Sequence, residues 1–155
     1  MQSKPMLLAI DEAKHGITLK HGGPFGSVIV RDGAVIGRGH NRVLVNSDPT
    51  AHGEIEAIRD ACRTIGSHDL SGSALYTTCY PCPMCLGAIL WSRIDKVYFC
   101  LSTEKAKDLG FDDSLFYELI HDRSKLGDML VCDDGDESAC VALFEEYANS
   151  QPELY

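Results

Sequence analysis

Residues 5–19 place Met6, Leu7, Ile10, Ala13 and Ile17 at helical spacing and predict an amphipathic helix. Two apolar runs follow, 25–31 and 34–39, joined across Asp32-Gly33. That dipeptide tolerates the left-handed backbone of a tight turn, so the runs predict a β-hairpin. After 41–48, Pro49-Thr50 introduces a second helix near 52–65, with Ile55, Ile58, Cys62 and Ile65 inward. Residues 74–78 form a short buried strand, and Pro81 at a first helical position opens a third helix through about Trp91. Residues 96–101 give another strand, with shorter helices near 103–109 and 114–121. A strand around 128–132 and a last helix around 138–149 complete the pattern. The order α-β-β-α-β-α-β-α-α-β-α is an α/β layout in which helices cover a central sheet. No internal repeat or low-complexity linker interrupts it, so the 155 residues read as one unit.

Composition narrows the function. The longest dense apolar stretches, 6–10 and 86–91, fall far short of the ~20 residues that span a bilayer. Asp11 and Glu12 directly follow the first of them, so no secretory leader is expected. Net charge is −9, unevenly spread: residues 1–103 carry 10 basic and 9 acidic side chains, residues 104–155 carry 4 and 14. A chain that grips a phosphate backbone presents a basic stripe. None is seen here, which favours a small neutral molecule over nucleic acid or membrane. Seven cysteines without a leader point to a reducing compartment, hence the cytoplasm.

Three cysteines crowd into 79–85, and there the chemistry concentrates. His52-Gly53-Glu54 and Pro81-Cys82-Pro83-Met84-Cys85 both fall at predicted helix starts. Positions three apart share a helix face, so Cys82 and Cys85 can close on one ion. The positive end of a helix favours thiolate. His52, Cys82 and Cys85 are a donor set for zinc that leaves the fourth corner to water, the arrangement of a catalytic ion. Glu54, two residues from His52, can reach such a water and carry its proton. Two other readings stand beside this one. Cys82 and Cys85 could be a redox pair, which leaves His52 and Glu54 without a role. Cys79 could close a structural four-ligand site, although it falls at the end of a strand, beyond Pro81.

His-x-Glu followed by Pro-Cys-x-x-Cys is the signature of zinc nucleobase deaminases, and the chain resembles the cytidine and nucleobase deaminase superfamily. Gly22-Gly23-Pro24-Phe25-Gly26, Asp48-Pro49-Thr50-Ala51-His52, residues 81–88 (PCPMCLGA) and Gly110-Phe111-Asp112-Asp113-Ser114 are similar to bacterial guanine deaminases. The resemblance implies a three-layer α/β/α cytidine-deaminase-like fold with a central mixed five-stranded sheet, over a single domain spanning 1–155. It implies one zinc ion per subunit on His52, Cys82 and Cys85, and conversion of guanine to xanthine and ammonia. In that reaction zinc-bound hydroxide attacks C2 and Glu54 shuttles the proton. Asn41 would hydrogen-bond the purine, Asp113 would help move protons, and Phe25 and Trp91 would border the base. A homodimer is implied, with the C-terminal segment, about 138–155, packed on or exchanged with the partner and Tyr155 closing the pocket. Two departures touch specificity: Gly53 replaces a common Ala, and Tyr80 stands where many members have Glu.

Other roles fit some of these residues. Asn41 suits a turn after a strand, and Asp113 suits the N-cap of the helix near 114–121. Phe25 and Trp91 suit a core, and Tyr155 a frayed terminus. His15, His21, His40, His68 and His121 show no partner pattern and read as surface or capping groups, with His40 adjoining Asn41. The acidic run 133–137 lacks calcium-loop spacing and reads as a solvated turn. Two further classes of function remain: a deaminase of another small amino-heterocycle (cytosine, ammeline or guanosine), and a non-catalytic zinc module that binds a partner.

Overall fold

The structure, a computed structural model, describes residues 4–130 and 136–150. The chain forms two compact units, Met1–Ile120 and His121–Tyr155, both within the span expected of one domain.

The first unit is built on a sheet of β1 (Gly26–Arg31), β2 (Ala34–His40), β3 (Ser73–Cys79) and β4 (Lys96–Leu101), in the order β2-β1-β3-β4. β1 pairs antiparallel with both β2 and β3, and β3 pairs parallel with β4, so the sheet is mixed. The β1–β2 turn is made by Asp32 and Gly33 at φ 51° and 77°, the left-handed pair expected of this dipeptide.

α1 (Lys4–Thr18) forms where the helical pattern places it, but it packs through small residues. Ala9, Ala13 and Gly16 are buried, while Leu7 and Ile17 are exposed. A Cβ on Gly26 would run into the Ala9 carbonyl and the Ala13 backbone, so helix and strand lie too close for larger side chains. On the other face, α3 (Gly53–Ile65) and α4 (Pro83–Trp91) enclose the core. Ile29, Ala57, Ala61, Leu70, Leu75, Ile89 and Ile94 are buried there. Ile58, Cys62 and Ile65 pack against this cluster from its margin, so α3 also leads with alanine.

Three differences from the sequence pattern have local causes. α4 starts at Pro83, not Pro81, and Cys82 is its extended N-cap at φ −63°, ψ 166°. A residue that precedes proline is pushed out of the helical region, so Cys82 cannot be helical. The stretch between β2 and α3 holds one short helix, α2 (Val43–Asn46), whose Leu44 and Val45 amides donate to the His21 carbonyl. The histidines there are not surface groups: His40 is buried, its Nε2 lies 2.9 Å from His21 Nδ1, and its Nδ1 lies 3.4 Å from Glu12 Oε2. They tie α1 and the loop after it to the end of β2.

The sheet has four strands among the described residues, not the five expected. The missing strand was placed at 128–132. There Arg123–Met129 forms a 3-10 helix broken at Gly127, whose φ of 50° and ψ of −130° suit glycine, and residues 131–132 lie outside the described part. So do residues 133–135 of the acidic run. After β4 come α5 (Thr103–Asp108) and α6 (Ser114–His121). The second unit contributes the 3-10 helix and α7 (Glu137–Ser150). No described helix is long and apolar enough to cross a membrane.

Candidate metal centre and active site

The parallel β3–β4 pair is joined through α4, which brings the end of β3 and the start of α4 to one edge of the sheet. Crevices at the carboxyl ends of strands are where α/β folds place ligands. α3 begins at the same place, with His52 as its N-cap. Two helix N-termini therefore converge, one carrying His52 and Glu54, the other Cys82 and Cys85.

His52 Nδ1 stands 3.6 Å from Cys82 Sγ and 3.5 Å from Cys85 Sγ. The three donor atoms all lie within 4.8 Å of one another. With zinc bonds of 2.0–2.3 Å, a tetrahedral centre has nitrogen–sulfur edges of about 3.5 Å, so the side chains already have the spacing of ligands. Among the described residues no fourth His, Cys, Asp or Glu joins the group. Cys79, which could have closed a structural site, ends β3 outside it. Three donors and an open corner fit a catalytic zinc.

Electrostatics follow the same geometry. The Cys85 thiol donates toward Cys82, which brings the Cys82 thiol down to about 4, with His52 adding to the effect. Cys85, giving that hydrogen bond and fully buried, is pushed up. The hydrogen bond with Cys82 raises His52 against the opposing effect of its burial. Glu54 is only 4 % exposed, and burial pushes its carboxyl up. Its Oε1 accepts a hydrogen bond from Thr77 Oγ1 at 3.0 Å, and its Oε2 faces Cys85 Sγ at 3.5 Å. Gly53 is tightly enclosed, since a Cβ there would stand 3.0 Å from the Phe25 carbonyl oxygen.

Around this centre the other candidates separate. Asn41 is buried at the end of β2, and its Oδ1 accepts from the Gly23 and Val43 amides, both at 3.2 Å. It thus makes the turn that a strand-end Asn suggests, while its NH2 group forms no hydrogen bond among the described residues. Asp113 is half-buried, and burial raises its carboxyl, with the charges of Cys82 and His52 acting on it. Asp112, one residue earlier, makes the turn that leads into α6, its Oδ1 accepting from the Ser114 amide at 3.1 Å and from its hydroxyl. Asp113 is left to face the cluster. Phe25 is half-buried beside it, edge-on to Phe111 with ring centroids 4.8 Å apart. Trp91 is not brought to the cluster: it is 70 % exposed at the far end of α4. Tyr155 lies outside the described residues.

Three residues join the site without having been given a role from the sequence, Phe111 having been named there only within a motif. Thr77 touches Glu54, Phe111 touches Phe25, and Tyr117 donates to the Pro81 carbonyl beside Cys82. Thr77 had a usable signal, a polar side chain at an inward position of a buried strand.

A mixed sheet with two helix N-termini converging on His52, Cys82 and Cys85 defines a zinc-dependent deaminase centre. The family model of the cytidine and deoxycytidylate deaminase zinc-binding region matches residues 1–101, and the chain belongs to that family. The chain is similar to the guanine deaminase of Bacillus subtilis (strain 168), 49% identical over 112 residues, 72% of each chain. It also resembles an X-ray structure of guanine deaminase from Bacillus subtilis, with a TM-score of 0.73 and 46% identity over 76% of each chain. The tRNA-specific adenosine deaminase of Aquifex aeolicus (strain VF5) is 43% identical over 98 residues, 63% of this chain and 64% of that protein. Zinc is thereby the metal of this centre, and the donors present fit it.

Proposed function

We propose that the protein hydrolyses guanine to xanthine and ammonia. The observation that carries this reading is a buried carboxylate, Glu54, beside an open three-donor metal site, in a chain similar to guanine deaminases along most of its length. Net charge weighs against the tRNA substrate of the other relatives, because a chain at −9 with an acidic C-terminal third lacks the basic stripe that grips a phosphate backbone.

His52, Cys82 and Cys85 would hold zinc, which supplies a nucleophile at neutral pH by lowering the pKa of water. Glu54 takes the first proton of the attacking water and delivers it to N3 of the base as the new C–O bond forms at C2. The second water proton, from the hydroxyl now on C2, passes through Glu54 or Asp113 to the amino group. The C2–N bond then breaks, ammonia leaves and xanthine remains. Asn41 offers its NH2 donors to the purine edge, and Phe25 lies against the ring. A homodimer whose C-terminal segment closes the pocket with Tyr155 belongs to the same proposal, as does a cytoplasmic setting.

The test is ammonia release by zinc-loaded protein from guanine, guanosine, cytosine, adenine and ammeline. Guanine alone should turn over, and E54Q should lower kcat by roughly 10²–10⁴ with zinc retained. Turnover of another base would keep the chemistry and discard the substrate. Silence across the panel at full zinc occupancy would leave a substrate outside the panel or a non-catalytic zinc module.

A further inference from the structure

We infer that Thr77 is a positioning residue that assigns separate tasks to the two oxygens of Glu54, an inference that rests on the proton-shuttle reading of Glu54. β3 alternates strictly, and Ser73, Leu75, Thr77 and Cys79 all point into the layer shared with α3 and α4. At 77 that layer holds a hydroxyl where valine has the same shape and no polar atom to satisfy. The hydroxyl is fully buried, and it donates to Glu54 Oε1 at 3.0 Å. Glu54 Oε2 points the other way, 3.5 Å from Cys85 Sγ, toward the metal ligands. Thr77 therefore fixes the rotation of the carboxylate about its last torsion, a broad and weakly preferred angle when left free. Oε1 is held from the sheet, and Oε2 is the oxygen that meets water and base.

The neighbour across the sheet supplies a contrast. Ser27 of β1 is paired in register with Thr77, so both side chains lie on one face. Ser27 is equally buried, yet its Oγ has no hydrogen-bond partner among the described residues. Two buried hydroxyls thus stand side by side on one face of the sheet, and of the two it is Thr77 that is hydrogen-bonded to Glu54. If buried hydroxyls matter here merely for packing, the two should behave alike.

The experiment compares T77V, T77S, S27A and E54Q as full chains. Each is measured for zinc content, thermal unfolding, kcat and KM for guanine, and the infrared bands of the Glu54 carboxyl, identified by their loss in E54Q. T77V should lower kcat by about 10–100-fold, as loss of a supporting hydrogen bond in a metal site does, with KM and zinc content little changed. T77S should recover most of the loss, S27A should match the unchanged protein, and the Glu54 bands should shift in T77V alone. Wild-type kcat and unshifted bands in T77V would overturn the inference, as would equal losses in T77V and S27A, or loss of zinc in step with activity. If E54Q itself remains active, the shuttle reading fails first. If E54Q is inactive while T77V is normal, only the role of Thr77 falls.

Discussion

Tyr117 donates a hydrogen bond of 2.5 Å to the carbonyl of Pro81, the residue immediately before the ligand Cys82. α6 is thereby fastened to the loop that presents the metal, and Asp113, one residue ahead of α6, is fastened with it. Y117F removes the hydroxyl without changing the ring, and it should cost about 0.5–1.5 kcal/mol of stability as the bond is lost. Because Asp113 then loses its anchor, kcat/KM for guanine should fall while zinc stays stoichiometric. Urea unfolding, metal analysis and steady-state kinetics check the three parts separately. Unchanged kinetics would detach Asp113 from the reaction.

The donor set makes a sharper prediction at the cysteines. C82A and C85A each remove one of three ligands, and zinc content should fall well below one ion per chain. C79A should keep the full ion, because Cys79 stands outside the cluster. Metal analysis after dialysis distinguishes this from a closed four-ligand site, in which all three variants would lose zinc alike.

The metal centre was legible because its parts are short and local. Cys82 and Cys85, three apart at the start of α4, are brought to one side by spacing alone, and His52 and Glu54 lie two apart across the N-cap of α3. Thr77 and Tyr117 work by contacts that span 23 and 36 residues, and although the inward place of Thr77 on its strand is legible, no spacing pairs either residue with its partner. Asp112 and Asp113 illustrate the same limit: either could accept a hydrogen bond from the first amides of α6, and only the folded chain gives the Ser114 amide to Asp112. α1 was placed correctly, yet its packing face was misjudged, because close approach to Gly26 selects alanine over the larger residues that dominate the hydrophobic pattern. The start of α4 shows two local rules in competition, and the restriction that Pro83 places on Cys82 prevails over the helix-opening tendency of Pro81.

Asp69 gives a pH dependence whose sign is fixed. Its Oδ1 accepts from the Ser71 amide at 2.8 Å and hydroxyl at 2.5 Å, and its Oδ2 meets Arg93 at 2.9 Å. The Ser71 hydrogen bonds first, and Arg93 second, hold the carboxyl at about 2, below its ordinary 3.8. A depressed carboxylate contributes stability that is complete above its unfolded pKa and lost as pH falls through its folded one. The difference in unfolding midpoint between the unchanged protein and D69A should therefore be constant near neutrality. It should shrink as pH falls from about 3.8 toward 2. A gap that widens on acidification would contradict this.

Gly39 links the sheet to the metal through backbone alone. A Cβ at this position would meet the Ala57 amide nitrogen, the Gly53 carbonyl and the Glu56 carbonyl carbon, all main-chain atoms in the first turns of α3. No side chain can rotate aside, so G39A must push α3 away from β2. Overpacking of this kind costs about 1–3 kcal/mol. The displaced end of α3 is the one that carries His52 and Glu54, so zinc occupancy should fall together with stability. Gly33 is the natural comparison: it sits in the hairpin turn at φ 77° with open space around it. G33A should cost about 1–2 kcal/mol through left-handed strain and leave zinc in place. Chemical unfolding and metal analysis of both variants separate the two effects. Equal stability losses with zinc lost only in G39A would establish that the spacing between β2 and α3 sets the metal site, whereas full zinc in G39A would mean that His52 keeps its position independently of the sheet.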